Sequence, residues 1–137
     1  MATQQATRPV PGSAMALIAH AHAVLDQAVI ATDVGERFRL AHLSALRAAA
    51  AVLADRGRPA AVRRRLMSVW VLIDTVAPEL ADWSRYFAAA APARAAVEAG
   101  ARHAVTSRDA DDQLRSAAEF LRVVERSLGM QAPLLAS

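Results

Sequence analysis

Between residues 13 and 128 the apolar side chains recur at intervals of three and four, and no strand candidate of any length interrupts them. A chain with that period in every segment buries its apolar surface by packing helix on helix. Alanine, the best helix former, supplies much of the 55% apolar share, so propensity and pattern agree on an all-α fold. At 137 residues the chain is long enough to close one core without staples, which suits a sequence with no cysteine. One domain over residues 13–129 is expected, with a flexible lead-in at 1–12 ending in PVPG and a tail at 130–137.

Punctuation divides the pattern into helices. Ser13 is placed to cap the first, over 13–31, with Leu17, Ala21, Val24, Leu25, Ala28 and Val29 on its buried face. Thr32 or Asp33 opens the second, which ends at Arg56 before Gly57. Phe38, Ala45, Ala49, Val52 and Leu53 form one apolar face of it, and Leu40, Leu43, Ala51 and Ala54 a second. A third helix over 61–76 is apolar nearly all round, with Leu66, Val69, Trp70, Ile73 and Val76 as its stripe. It reads as the centre of the bundle or the seam of a dimer, since Met67, Val71 and Leu72 make a second patch that a second copy would cover.

Pro78 marks a break and a new first turn, after which Leu80, Trp83, Phe87 and Ala91 share a face; Pro92 is expected to kink or restart that helix before Gly100. Trp70, Trp83, Tyr86 and Phe87, gathered around the break, read as core. Thr106 or Ser107 caps a last helix over 108–128, with acids in its first turn. Leu114, Ala117, Ala118, Leu121, Val124 and Leu128 form its buried face, and Asp111 with Arg115 and Glu119 with Arg122 are spaced to pair on its wet face.

All sixteen cations are arginine, and the net charge is only +3, so the pI of 10.9 overstates the basicity. A mild positive balance permits an acidic partner without demanding one. No basic region followed by an apolar run and no uninterrupted span appears, so a cytoplasmic protein with no membrane association is expected. There is no GxGxxG, no GxxxxGK, no GxSxG and no HExxH, which leaves nucleotide-cradle, elbow-nucleophile and zincin chemistry without a signal, and no cofactor is expected. His20 and His22 point about 160° apart on a helix, so they cannot share a metal; His22 is expected to be satisfied by Asp26 one turn on. Arg56, Arg58, Arg63, Arg64 and Arg65 concentrate five cations around one loop. Five phosphate contacts there would give a log–log salt slope of about −4 to −5.

RFRLAH, residues 37–42, spaces Arg37 and His42 as Arg-x(4–6)-His, a cation and a candidate base close in the chain. Sixteen arginines and four histidines make one such match about what chance supplies. Five positions on a helix also set the two residues about 140° apart, so His42 is expected toward the core and Arg37, with Ser44 and Asp55, toward water.

Three stretches, ERFRLAHLSALRAAAAVLADR, RLMSVWVLIDTVAPELADWSRYFAAA and SRDADDQLRSAAEFLRVVERSL, in that order over about residues 13–128, resemble the HEPN superfamily, most closely its small actinobacterial single-domain branch. The resemblance implies a four- to five-helix up-and-down bundle that commonly dimerises, among metal-independent RNases, toxins and nucleotide- or partner-binding modules. In the RNases it implies an arginine and a histidine in the segment joining the third and fourth core helices, meeting their counterparts across a dimer cleft. Here that segment is PARAAVEAGARHAVTSRDA, with Arg94, Arg102, His103 and Arg108. Arg94 and His103 are too far apart for the motif, and Arg102 abuts His103, so only the loop pair Arg102 and His103 approximates a base beside a cation. The expectation is a non-catalytic, homodimeric module binding nucleic acid, a nucleotide or a partner protein through Arg56, Arg58, Arg63, Arg64, Arg65, Arg94 and Arg108. The alternatives are a degenerate RNase or toxin component, and a structural adaptor.

Overall fold

A computed structural model of the chain describes residues 9–57 and 68–130. Among these run five α-helices: α1 (Gly12–Ile30), α2 (Val34–Arg56), α3 (Val69–Val76), α4 (Ala81–Glu98) and α5 (Ser107–Ser127), with a 3₁₀ turn at Pro78–Leu80 leading into α4. Contacts between helices set their directions. The Ser44 hydroxyl donates to the Ala21 carbonyl at 2.8 Å, and Arg37 reaches back to the Ala31 carbonyl, so α1 and α2 are antiparallel. Arg37 meets Asp111 while Arg56 meets Ser127, so α5 runs parallel to α2. His42 on Phe87 and Gly35 beside Val97 send α4 back along α2. The long helices therefore alternate in an up-and-down bundle, with α3 docked near the end of α2.

Local chemistry explains where the helices begin. The Asp33 carboxylate accepts the Glu36 N–H at 2.8 Å, and Thr106 with Asp109 forms a reciprocal capping box, each satisfying amides that the helix leaves free. Ser13 does not play this part: α1 starts at Gly12 behind Pro11, with no side-chain cap. The Ser68 hydroxyl accepts from the Val71 N–H at 3.3 Å and opens α3; the earlier part of the expected third helix, with Leu66 and Met67, lies outside the described residues. α4 continues through Pro92 as one helix rather than restarting there.

The centre of the bundle is α2, not the third helix. Its Leu40, Ala41, Ala45, Ala48, Ala49, Ala51, Val52 and Leu53 are all buried, because α1, α4 and α5 surround it. Ser44, expected on the wet side, is fully buried against α1 for the same reason. The α3 patch is covered in part: Leu72 is in the core, and Val71 stays half exposed. On α1 the buried stripe is Ala14, Ile18, Ala21, Val24 and Ala28, and Val29 points out. α1 is apolar and long enough to cross a membrane by composition alone, yet this stripe packs on α2, and its His22 pairs with Glu125 of α5.

The large side chains of the core meet at Phe87. Its ring centroid lies 5.2 Å from Trp70, 5.3 Å from Phe120, 6.0 Å from His42 and 4.9 Å from Tyr86, so it touches rings on α3, α5, α2 and its own helix. Aromatic pairs at such separations add to their area burial. Phe87→Ala is expected to lower unfolding free energy by about 3–5 kcal/mol in urea denaturation, whereas Tyr86→Ala, at the exposed edge, costs much less. Similar destabilisation in the two variants would show that Phe87 is not the organising residue.

Candidate functional site

RFRLAH folds into the structure rather than into a site. His42 is 1% exposed, and its Nε2 is 2.9 Å from the Phe87 carbonyl, to which it donates, while Nδ1 is buried with no partner among the described residues. Burial holds the imidazole below its usual pKa, opposed by the Phe87 carbonyl, with Arg94 adding to the lowering and Glu98 resisting it. Arg37 does not face water as expected. It clamps the carbonyl of Ala31, the C-cap residue of α1, and the Asp111 carboxylate on α5, the latter at 2.7 Å, which also takes Asp111 away from Arg115; Arg115 pairs with Asp112 instead. The two members of the motif are thus on different faces of α2 with separate structural tasks.

The expected cations divide in the same way. Arg56 is held by the Val76 carbonyl, the Ser127 hydroxyl and the Glu79 carboxylate at 2.6 Å, and its hydrogen bond keeps the Glu79 carboxyl below the usual range. It ties together the ends of α2, α3 and α5. Arg58, Arg63, Arg64 and Arg65 lie outside the described residues. Arg94 is half-buried on α4, 3.7 Å from Glu98. Arg102, His103 and Arg108 are exposed and, among the described residues, carry no ion pair or side-chain hydrogen bond. Of the two histidines on α1, His20 accepts from Arg47 at 3.1 Å, and His22 meets Glu125 at 2.8 Å rather than Asp26. Among the described residues no three His, Asp or Glu side chains group closely enough to hold a metal ion.

Two concavities flank the connection between α4 and α5. The first, of about 490 Å³, lies between the α1–α2 turn and the α4–α5 loop, and is lined by Thr32, Asp33, Gly35, Val97, Arg102 and His103 among others. Gly35 permits this approach, because a Cβ there would meet Val97 at 3.1 Å. Gly100, at φ +95°, turns the chain out of α4, a conformation glycine adopts without strain. The cleft so formed brings together the adjacent Arg–His pair of the loop and the carboxylate that caps α2. The second, about 430 Å³, is a groove between α4 and α5 floored by Phe38 and reaching Tyr86, Asp109, Asp112 and Gln113.

The buried face of α5 is Ala110, Gln113, Ala117, Phe120, Leu121 and Val124, rotated from the expected one so that Leu114 and Ala118 are half-buried. Phe120 could have been assigned to it from its helical spacing to Ala117 and Val124. A glutamine on a core face offers no such signal, and the hydrophobic pattern passes over Gln113.

A sequence profile of the SAV_6107-like HEPN family matches residues 28–125, from the end of α1 nearly to the end of α5. The chain belongs to the HEPN superfamily. No curated protein and no solved structure matches it. In this HEPN chain the α4–α5 connection, where the resemblance places the RNase pair, carries Arg102 and His103 side by side in an open cleft, and the one Arg-x(4–6)-His match is consumed by packing on α2.

The buried His42 has a consequence in solution. An unfolded histidine takes up a proton near pH 6.5, while folded His42 resists it, so below that pH the unfolded state binds more protons and stability falls as pH drops. Urea midpoints are expected to fall between pH 7 and pH 5, above the range in which the lowered carboxylates Glu36 and Glu79 titrate, and to fall less in His42→Gln. An equal slope in that variant would refute the assignment.

Proposed function

We propose that this HEPN protein is a non-catalytic binding module for single-stranded RNA, with the cleft of Arg102 and His103 as its contact surface and Arg108 extending it. The reading rests on one observation: Arg102 and His103 line the same open cleft with no partner among the described residues, while Arg37, Arg56 and His42 are engaged in the fold. A guanidinium free of internal partners can meet a phosphate without first breaking an ion pair. The absence of an Arg-x(4–6)-His pair in that loop supports binding over cleavage, since cleavage needs a base held within hydrogen-bond reach of the attacking hydroxyl, and no contact among the described residues holds the exposed His103 side chain in place.

A labelled RNA incubated with the protein in EDTA should be bound and left intact. Arg102→Ala with Arg108→Ala should weaken binding and reduce the log–log salt slope by about 0.7 for each phosphate that is no longer neutralised. RNA cut in EDTA by the wild type and spared by His103→Ala would instead establish the second reading, a metal-independent RNase, which the presence of His103 beside Arg102 in the cleft favours. An unchanged salt slope in the double variant would remove the cleft from the interface.

A homodimer belongs to the same proposal. Met15, Val29 and Ile30 stand 51%, 60% and 77% exposed on α1, and a second copy packed along that helix would cover them. Light scattering at micromolar concentration should return twice the chain mass, and Ile30→Glu should return the monomer; a monomeric wild type would overturn the dimer.

A further inference from the structure

We propose that the groove between α4 and α5 is a binding site for a small organic cation, an amine or amidinium carried on an apolar body. This site is separate from the RNA cleft and has the opposite charge preference.

Its deciding feature is Gln113. The residue is 3% exposed and lines the groove. Its Nε2 donates to the Tyr86 hydroxyl over a long 3.4 Å, and its Oε1 is buried with no hydrogen-bond donor among the described residues. Buried carbonyl oxygens in native proteins are almost always satisfied, and a turn of this side chain that brings Oε1 to the groove wall would let a ligand N–H satisfy it. Asp109 and Asp112 also line the groove, and among the described residues no arginine or histidine does. Asp109 caps α5 through the Thr106 N–H. Asp112 pairs with the well-exposed Arg115, a contact of the kind that solvent weakens and a ligand cation can replace. Two carboxylates with no lining cation disfavour phosphate or carboxylate ligands and favour a positive one.

The remaining walls give the ligand its apolar part. Phe38 is buried beneath the groove, and Ala89, Ala90 and Ala93 keep the α4 side low. Tyr86, 39% exposed, adds a ring at the border, and aromatic rings attract organic cations. At about 430 Å³ the space falls within the range of roughly 300–1,000 Å³ usual for small-molecule sites.

The test is an NMR titration of ¹⁵N-labelled protein with benzamidine, and with benzoate and benzyl alcohol as anionic and neutral counterparts. Benzamidine should give saturable shifts at the backbone amides of Tyr86, Ala90 and Gln113, and benzoate none. Gln113→Leu, which keeps the side-chain volume, and Asp112→Asn, at the groove border, should each weaken benzamidine by about fivefold, the effect of one hydrogen bond. The dispersed spectrum of each variant reports its fold, and Asp112→Asn decides alone if Gln113→Leu does not fold. Benzoate or benzyl alcohol binding as tightly as benzamidine, affinity unchanged in the folded variants, or no saturable shift up to about 10 mM, beyond the millimolar range in which so small a ligand is expected, would each overturn the proposal. RNA binding is unaffected by any of these outcomes, so the two sites stand or fall separately.

Discussion

Phe87 is the residue on which the bundle depends. Its side chain stacks on Trp70 and tilts against Phe120, and its main-chain carbonyl takes the hydrogen bond of His42. One residue of α4 is thereby joined to α3, α5 and α2 by ring packing and to α2 again by a buried polar contact. A histidine in such a place is compatible with a core only when it stays neutral and its N–H has an acceptor. The His42–Phe87 bond meets that requirement and also sets the register of α4 along α2. Arg37 and Arg56 then secure the two ends of α2 to α5.

The clefts follow from the distribution of side-chain volume along this framework. The bulky rings sit at one level, in Trp70, Trp83, Phe87 and Phe120. Beyond Phe87, α4 continues as AAAAPARAAVE, and only a minor cluster of Phe38, Val105 and Ala110 packs beneath it. Alanines let helices approach closely where both faces are small, as on α1 and α2, but they leave space where the partner cannot close in. α4 and α5 are tied through the loop that Gly100 turns, and the gap on either side of that loop becomes the groove with Gln113 and the cleft with Arg102 and His103. The two concavities appear at the end of the bundle where apolar volume runs out.

Much of this was legible from residue types. The 3.6 period placed the helices, Asp33 and Thr106 marked two of their starts, and Pro78 marked the break before α4, because each of these acts through bonds to its own chain neighbours. The family resemblance and the profile match agree for the same reason: they too are patterns of helices. The candidate site was legible only in part. Arg102 and His103 could be named as a loop pair, but Asp33 and Gly35, far away in the chain, become their neighbours only when α2 and α4 pack. The charge partners misled most. His22 looked matched to Asp26 and Asp111 to Arg115, yet Glu125 and Arg37 on other helices compete for them, and local spacing carries no information about that competition.

What the sequence determined by itself was therefore the class of structure and its segments: an all-α chain of amphipathic helices, with no cysteine chemistry and no complete Arg-x(4–6)-His pair in the α4–α5 loop. Those properties are local, set by propensity, periodicity and capping within a few residues. Tertiary structure alone decided that α2 rather than the third helix is the centre, that Gln113 faces inward, that Arg37 and Arg56 serve as ties, and that the Gln113 amide oxygen has no donor among the described residues beside an acidic groove. Each of those depends on which helix face meets which, and a helix with two apolar faces, as α2 has, does not say which neighbour will cover either one.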